Sequence, residues 1–236
     1  MEPLADSDFF AGRDDELTVL RNLLTRLAAG VGSAVLVEGE QGIGKSALLR
    51  RALGSVAGTS GRTDFRLAWG TSDGLGQPIP LLLIRECLSG VRLVRPGAVA
   101  AAGDPAARGD EQAVAGLLPS GDPVLAETER LLAEVERLCA ESPVILVTED
   151  LQWADEASLL LWRRLARAVS QLPLLLAGTY TPALAGEHVS GLRDEVVDRG
   201  GTVLSLGPLP TRHLQGLVGH MTGARPGPRL ASEVRA

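Results

Sequence analysis

The sequence predicts an α/β fold: a parallel sheet with helices on both faces. Three observations predict it. Short runs that are apolar throughout, rather than alternating, recur along the chain, as strands buried on both faces require. Segments of helical period lie between those runs. A glycine-rich turn joins the first run to the helix that follows it. Size and composition permit such a fold: 236 residues suit a single α/β domain, and 45% hydrophobic content supplies a core. Aromatic residues are only 3%, so that core is built mostly of Leu, Val and Ala.

The elements follow in order. Residues 14 to 28 read as an amphipathic helix, with Leu17, Leu20, Leu23, Leu24 and Leu27 at helical spacing. Asp14, Asp15 and Glu16 load its first turn with negative charge, where the helix dipole favours it, and Gly30 and Gly32 end it. Ala34 to Glu38 is the first strand. A helix from about Lys45 to Val56 follows the glycine-rich turn, with Leu48, Leu49, Leu53 and Val56 on one face. Phe65 to Trp69 is the second strand, and the spacing of Leu81, Ile84, Arg85 and Leu88 predicts a helix over Pro80 to Val91. Residues 95 to 123, rich in Pro, Gly, Ala and Asp, read as a mobile insertion with one short helix near Glu111 to Leu117. Helical periodicity returns over Val124 to Ala140. Val144 to Thr148, Leu174 to Thr179 and Thr202 to Leu206 are the third, fourth and fifth strands, with a helix over Ala157 to Gln171 between the third and fourth. No internal repeat is visible, and the core is expected to occupy 1–222, with 223–236 the start of a truncated C-terminal region.

Composition excludes several function classes. Two cysteines, Cys87 and Cys139, cannot build a disulfide framework and read as buried thiols in a reducing compartment. The first residues carry neither a basic n-region nor an apolar h-region, and no apolar run approaches a membrane span. The expected location is therefore cytoplasmic, with no membrane partner. A net charge of −6 argues against non-specific nucleic-acid binding, and no helix-turn-helix or basic stripe is evident.

The chemistry lies in two motifs. Gly39-Glu40-Gln41-Gly42-Ile43-Gly44-Lys45-Ser46 fits G-x-x-x-x-G-K-[ST], between a strand and a helix as that motif requires. Small residues let successive N–H groups point inward at phosphate oxygens, and the helix starting there, at Lys45, Ser46 and Ala47, adds its positive end. Lys45, the only lysine beside 22 arginines, supplies a mobile charge for the β- and γ-phosphates, and the Ser46 hydroxyl can ligate Mg²⁺. The second motif is Val144-Ile145-Leu146-Val147-Thr148-Glu149-Asp150, an apolar strand ending in adjacent carboxylates. One such carboxylate can hold Mg²⁺, usually through water, and the other can polarise an attacking water. Together the motifs predict a three-layer P-loop NTPase fold that takes ATP or ADP with Mg²⁺.

The stretch Glu149-Asp150-Leu151-Gln152-Trp153-Ala154-Asp155 resembles the extended Walker B of the STAND class of AAA-related ATPases, in particular the ATPase module of large ATP-binding LuxR-type transcriptional regulators. Phe10-Ala11-Gly12-Arg13-Asp14-Asp15-Glu16-Leu17 resembles that family's N-terminal hydrophobic-Gly-Arg box. Leu175-Leu176-Ala177-Gly178-Thr179-Tyr180 resembles its sensor strand, and Leu206-Gly207-Pro208-Leu209 its segment after the last core strand. The resemblance implies that Phe10, Gly12, Arg13 and Pro208 lie near the adenine, that Glu149 takes the Mg²⁺-binding position and that Asp150 takes the water-polarising one. The alternative readings are that Phe10 staples the first helix and that Pro208 terminates a strand. In the additional-strand class of P-loop proteins the fourth strand inserts between the first and third, so the expected sheet order is 5-1-4-3-2. Direct pairing of Val144 to Thr148 with Ala34 to Glu38 would instead mark the kinase–GTPase class.

Two departures from the family bear on turnover. The sensor strand commonly continues Thr-Tyr-Arg, whereas here Thr181 follows Tyr180. A cation near the γ-phosphate is thereby lost; Arg163, Arg164 and Arg167 on the helix after the Walker B are the candidates to replace it, the alternative being that they form a solvated helix face. The chain also ends about thirty residues after the fifth strand, before the family's helical lid, winged helix, sensor repeats and DNA-binding domain. A fragment, a truncated product and a stand-alone core all fit. The expected function is a regulatory ATPase core acting as a nucleotide switch with slow hydrolysis, partnered by itself or by regulatory proteins. The alternatives are a small-molecule P-loop kinase and a degenerate nucleotide-binding scaffold.

Overall fold

The computed structural model describes residues 12–54, 64–94, 122–210 and 213. Phe10, the short helix expected near Glu111 to Leu117, most of the expected 95–123 insertion and residues 223–236 lie outside them. The described chain runs α1 (Asp14–Ala28), β1 (Ser33–Gly39), α2 (Lys45–Gly54), β2 (Phe65–Thr71), α3 (Leu82–Ser89), β3 (Arg92–Val94), α4 (Pro123–Glu141), β4 (Val144–Glu149), α5 (Glu156–Ala168), β5 (Leu174–Tyr180), α6 (Glu187–Asp198) and β6 (Thr202–Leu206).

The sheet order is β3-β2-β4-β5-β1-β6. Its five parallel strands stand as the sequence predicts, with β5 between β1 and β4. The expected five-strand sheet needs one correction. β3 adds a short antiparallel edge strand, pairing Leu67 with Arg92 and Phe65 with Val94. A second element that periodicity did not reveal is α6, whose Val189, Leu192 and Val196 are buried.

Alternation along the strands sorts the core into two clusters. Val35 and Val37 of β1 join Leu20, Leu24, Leu48 and Leu49 under α1 and α2. Ala34 and Leu36 face the other way, onto Trp162, Leu165 and Leu192 beneath α5 and α6, in the cluster that also takes in α3 and α4. With both faces covered, β4 and β5 are buried at every position. Both cysteines are buried free thiols. Burial pushes Cys139 up to about 11 and Cys87 higher still.

Caps fix where the helices begin. Asp122 accepts a hydrogen bond from Val124 N at the start of α4, where Pro123 takes the first helical position. Asp155 does the same for α5 through Ser158 N. All five parallel strands point their C-terminal ends at one edge of the molecule, and there an open α/β sheet places its ligand site.

Candidate phosphate-binding site at the strand ends

The loop over 39–46 leaves β1 and turns into α2. Gly42 and Gly44 have φ of +76° and +100°, a left-handed backbone that a side chain would strain. A Cβ at either would meet nothing within 4 Å, so the outer surface of the loop is open. Glu40, Gln41, Gly42 and Ala47 are exposed, Ile43, Gly44 and Ser46 half-buried, and Gly39 buried.

Lys45 is folded beneath the loop and only 6% exposed. Its Nζ donates to the carbonyls of Gly39 (2.8 Å) and Glu40 (3.1 Å) and to Thr181 Oγ1 (3.1 Å). Burial lowers its pKa, and the charges of Asp150, Glu40 and Glu149 oppose that shift. Thr181, the position where the sensor strand departs from the resembled family, is therefore an acceptor for Lys45. It is itself buried, and its N–H donates to Gln152 Oε1 at 3.0 Å.

The two carboxylates at the end of β4 are held differently. Glu149 is buried. Its Oε2 accepts from Trp69 Nε1 (2.8 Å), Thr71 Oγ1 (3.2 Å) and Arg50 (3.5 Å), and the Arg50 guanidinium also lies 5.2 Å from the centre of the Trp69 ring. Its Oε1 is buried with no hydrogen-bond partner among the described residues. Asp150 is half-buried and adopts the left-handed conformation (φ 56°), which Asp tolerates better than most residues. Its N–H donates to Thr179 Oγ1 (3.0 Å), and its Oδ1 accepts from Gln152 Nε2 (3.0 Å). Gln152 thus bridges Asp150 and Thr181 with both ends of its amide.

The donor set fits Mg²⁺. Among the described residues no group of three or more His, Cys, Asp or Glu gathers in metal-holding fashion. Ser46, Glu149 and Asp150 offer a hydroxyl and two carboxylates, one with a buried oxygen lacking a partner. Mg²⁺ typically takes one or two carboxylates, keeps several waters and completes its shell with phosphate oxygens.

A second cluster lies at the β6 side. Arg13, also left-handed (φ 69°), precedes α1 and donates to the Gly207 carbonyl while pairing with Glu16. A Cβ on Gly12 would strike His213 and Leu209, so the 12–13 segment packs against the chain that follows β6. The structure therefore brings Gly12 and Arg13 to the neighbourhood of Pro208, which is exposed.

The candidate replacement arginines point elsewhere. Arg163 donates to the His188 carbonyl, Arg164 pairs with Glu129 on α4, and Arg167 pairs with Glu195 on α6. Sequence reasoning missed four contributors: Trp69, Thr71, Gln152 and Asp155. Asp155 carried a signal, the Asp-x-x-Ser spacing of an N-cap. Its Oδ1 accepts both Ser158 N and Leu81 N (2.8 Å each), and its Oδ2 accepts Ser158 Oγ (2.6 Å).

Comparison with known proteins bears on this geometry. The AAA ATPase domain family matches residues 10–177. No curated protein matches the chain. Among solved structures, the Aeropyrum pernix ORC2 protein in ADPNP–ADP complexes superposes with a TM-score of 0.56 at 16% identity, over 92% of this chain and 54% of that one. A DNA replication initiation factor superposes with a TM-score of 0.51 at 11% identity, over 96% and 57%. The chain thus spans little more than half the length of these structures, and at such identities the likeness is one of fold. Among the described residues, no helix is long and apolar enough to cross a membrane.

Proposed function

The chain belongs to the AAA ATPase domain family, and from that premise we propose that it is the ATP–Mg²⁺-binding core of a STAND-type regulator, switching with its nucleotide and hydrolysing it slowly. The observation that carries the reading is Lys45. The chain's one lysine sits inside the 39–46 loop, under the charges of Asp150 and Glu149. The family match supports nucleotide binding and ATPase activity. The LuxR-type role in transcription rests on the sequence resemblance.

In this reading, backbone N–H groups of 42–46 and the start of α2 receive the phosphates. Lys45 exchanges loop carbonyls for phosphate oxygens. Ser46 and Glu149 hold Mg²⁺, and Asp150, anchored by Thr179 and Gln152, orients the attacking water. Mg²⁺, when bound, neutralises charge on the β- and γ-phosphates. Gly12, Arg13 and Pro208, with Phe10, receive the adenine side. Slow turnover follows from position 181. Thr181 is neutral, and Arg163, Arg164 and Arg167 are engaged away from the strand ends. A missing cationic donor typically costs on the order of a hundredfold or more in rate. Self-association or a regulatory protein partner would then supply control, without direct nucleic-acid contact by this segment.

The strand order weighs against the small-molecule kinase reading, because β5 separates β1 from β4. The test combines calorimetry of ATP–Mg²⁺ binding with single-turnover hydrolysis. Binding with slow turnover, reduced further by Asp150→Asn, supports the proposal. Fast turnover abolished by Asp150→Asn would overturn the slow-switch reading, and binding without any turnover would favour the scaffold.

A further inference from the structure

A groove of about 260 Å³ opens on the other side of β4 from β1, between the end of β2, the start of α3 and the turn that follows β4. It is separate from the 39–46 loop, since β4 and β5 stand between them. Its apolar wall is unusually exposed: Leu75 is 87% accessible, Ile79 47% and Trp153 39%. The remaining exposed large apolar side chains, such as Val31, Leu125 and Val197, are spread over other elements.

The polar lining is one-sided. Asp73, Glu86 and Asp155 contribute carboxylates, and among the described residues no basic side chain lines the groove. Asp155 is already committed to Leu81 and Ser158, and Asp73 Oδ1 accepts from Leu75 N (3.1 Å) and Gly76 N (2.8 Å), so the charge of the rim rests chiefly on Glu86. Glu86 is exposed and takes part in no ion pair among the described residues. Ser72 also lines the groove, and its Oγ is buried with no hydrogen-bond partner among the described residues, closed off from the groove surface. An acidic rim and an exposed apolar wall with an aromatic face together specify a ligand. It needs an apolar body for the wall and positive charge for Glu86 and Asp73.

We propose that this groove binds a small organic cation, an alkyl or arylalkyl ammonium of roughly a dozen non-hydrogen atoms. The ammonium sits at the Glu86–Asp73 end, and the apolar body lies against Leu75, Ile79 and Trp153. The proposal does not rest on the nucleotide reading, and the two sites meet at Thr71, which lines the groove and donates to Glu149.

The test titrates the intact protein with 4-phenylbutylamine and, as the matched anion, 4-phenylbutyrate. Isothermal calorimetry supplies affinities, in the absence and presence of ATP–Mg²⁺. The amine is expected to bind at least tenfold more tightly than the carboxylate. Glu86→Gln, on the exposed face of α3, should weaken the amine about five- to tenfold and leave the carboxylate unchanged. Trp153→Ala should weaken the amine through the wall rather than the charge, and should weaken neutral 4-phenylbutanol as well. No measurable amine binding, equal binding of amine and carboxylate, no effect of Glu86→Gln, or competitive displacement of the amine by ATP would each overturn the proposal.

Discussion

The ends of β1, β5 and β4 and the rim where the 12–13 segment meets the chain after β6 are both assigned to one nucleotide, yet they are built in opposite ways. At the strand ends Lys45, Glu149 and Thr181 are buried and tied to neighbours. Lys45 donates to Thr181, Glu149 accepts from Trp69 and Thr71, and the backbone N–H of half-buried Asp150 donates to Thr179. At the rim, Pro208 is exposed, and one side-chain hydrogen bond, from Arg13 to Gly207, joins segments 194 residues apart in sequence. Phosphate chemistry needs fixed charges, and a buried polar group stays fixed only where its partners are fixed too. A surface that receives a flat apolar ring tolerates looser construction. Substitutions at the strand ends should therefore disturb both stability and binding, and those at the rim mainly binding.

The largest expected effect is on affinity. Lys45→Ala should weaken ATP–Mg²⁺ binding about a hundredfold or more in calorimetry, because the phosphates lose their mobile cation. Equal binding by the two proteins would dissolve the contrast at its source. Next comes Asp155→Ala, which strips the cap from α5 and the partner from Leu81 N. It should destabilise the fold by about 2–4 kcal/mol in urea unfolding. Trp69→Phe removes a donor from the buried Glu149 carboxylate and should lower stability by about 1.5–3 kcal/mol in the same measurement. Arg13→Ala removes a side chain only 9% exposed and bonded to Gly207 and Glu16, and should lower stability by about 1–2 kcal/mol while weakening nucleotide binding several-fold. A large stability loss there would erase the distinction. The smallest effect concerns pH. Burial raises the Glu38 pKa, but Ser205, Tyr180 and Arg193 outweigh it and hold the carboxyl below its ordinary 4.5. Its contribution is present above that value and is lost as pH falls through the lower folded value. Glu38→Gln should accordingly flatten the decline in stability below about pH 4.5, read from melting temperature against pH.

Legibility followed local signal. α1 declared itself because its leucines repeat at helical period, and β1, β4 and β5 because each carries a short run that is apolar throughout. β3 was invisible: three residues, Arg92 to Val94, become a strand only by pairing with β2. In α6 the spacing of Val189, Leu192 and Val196 is diluted by Gly191 and five charged residues. The 39–46 loop and the Glu149–Asp150 pair were readable because their geometry is local to a few residues. The Trp69–Glu149 contact was not, since it joins positions 80 apart across two strands. Thr181 shows a subtler gap. The sequence marks a missing arginine there, and the fold reveals a buried hydroxyl holding Lys45, so Thr181→Arg would have to displace that contact rather than fill a space.

The three tryptophans lie in three different surroundings. Trp162 is fully buried and donates to Thr148, Trp69 donates to the Glu149 carboxylate, and Trp153 stands part-exposed at the groove. Indole emission moves to longer wavelength with solvent access and is sensitive to a nearby charge. The intrinsic fluorescence of the unlabelled protein should thus divide into a blue, unfolding-sensitive component, one that senses the carboxylate and a red one that senses the groove. Replacing the other two tryptophans by phenylalanine would isolate each channel, so that events at the carboxylate and at the groove could be timed separately in a single mixing experiment.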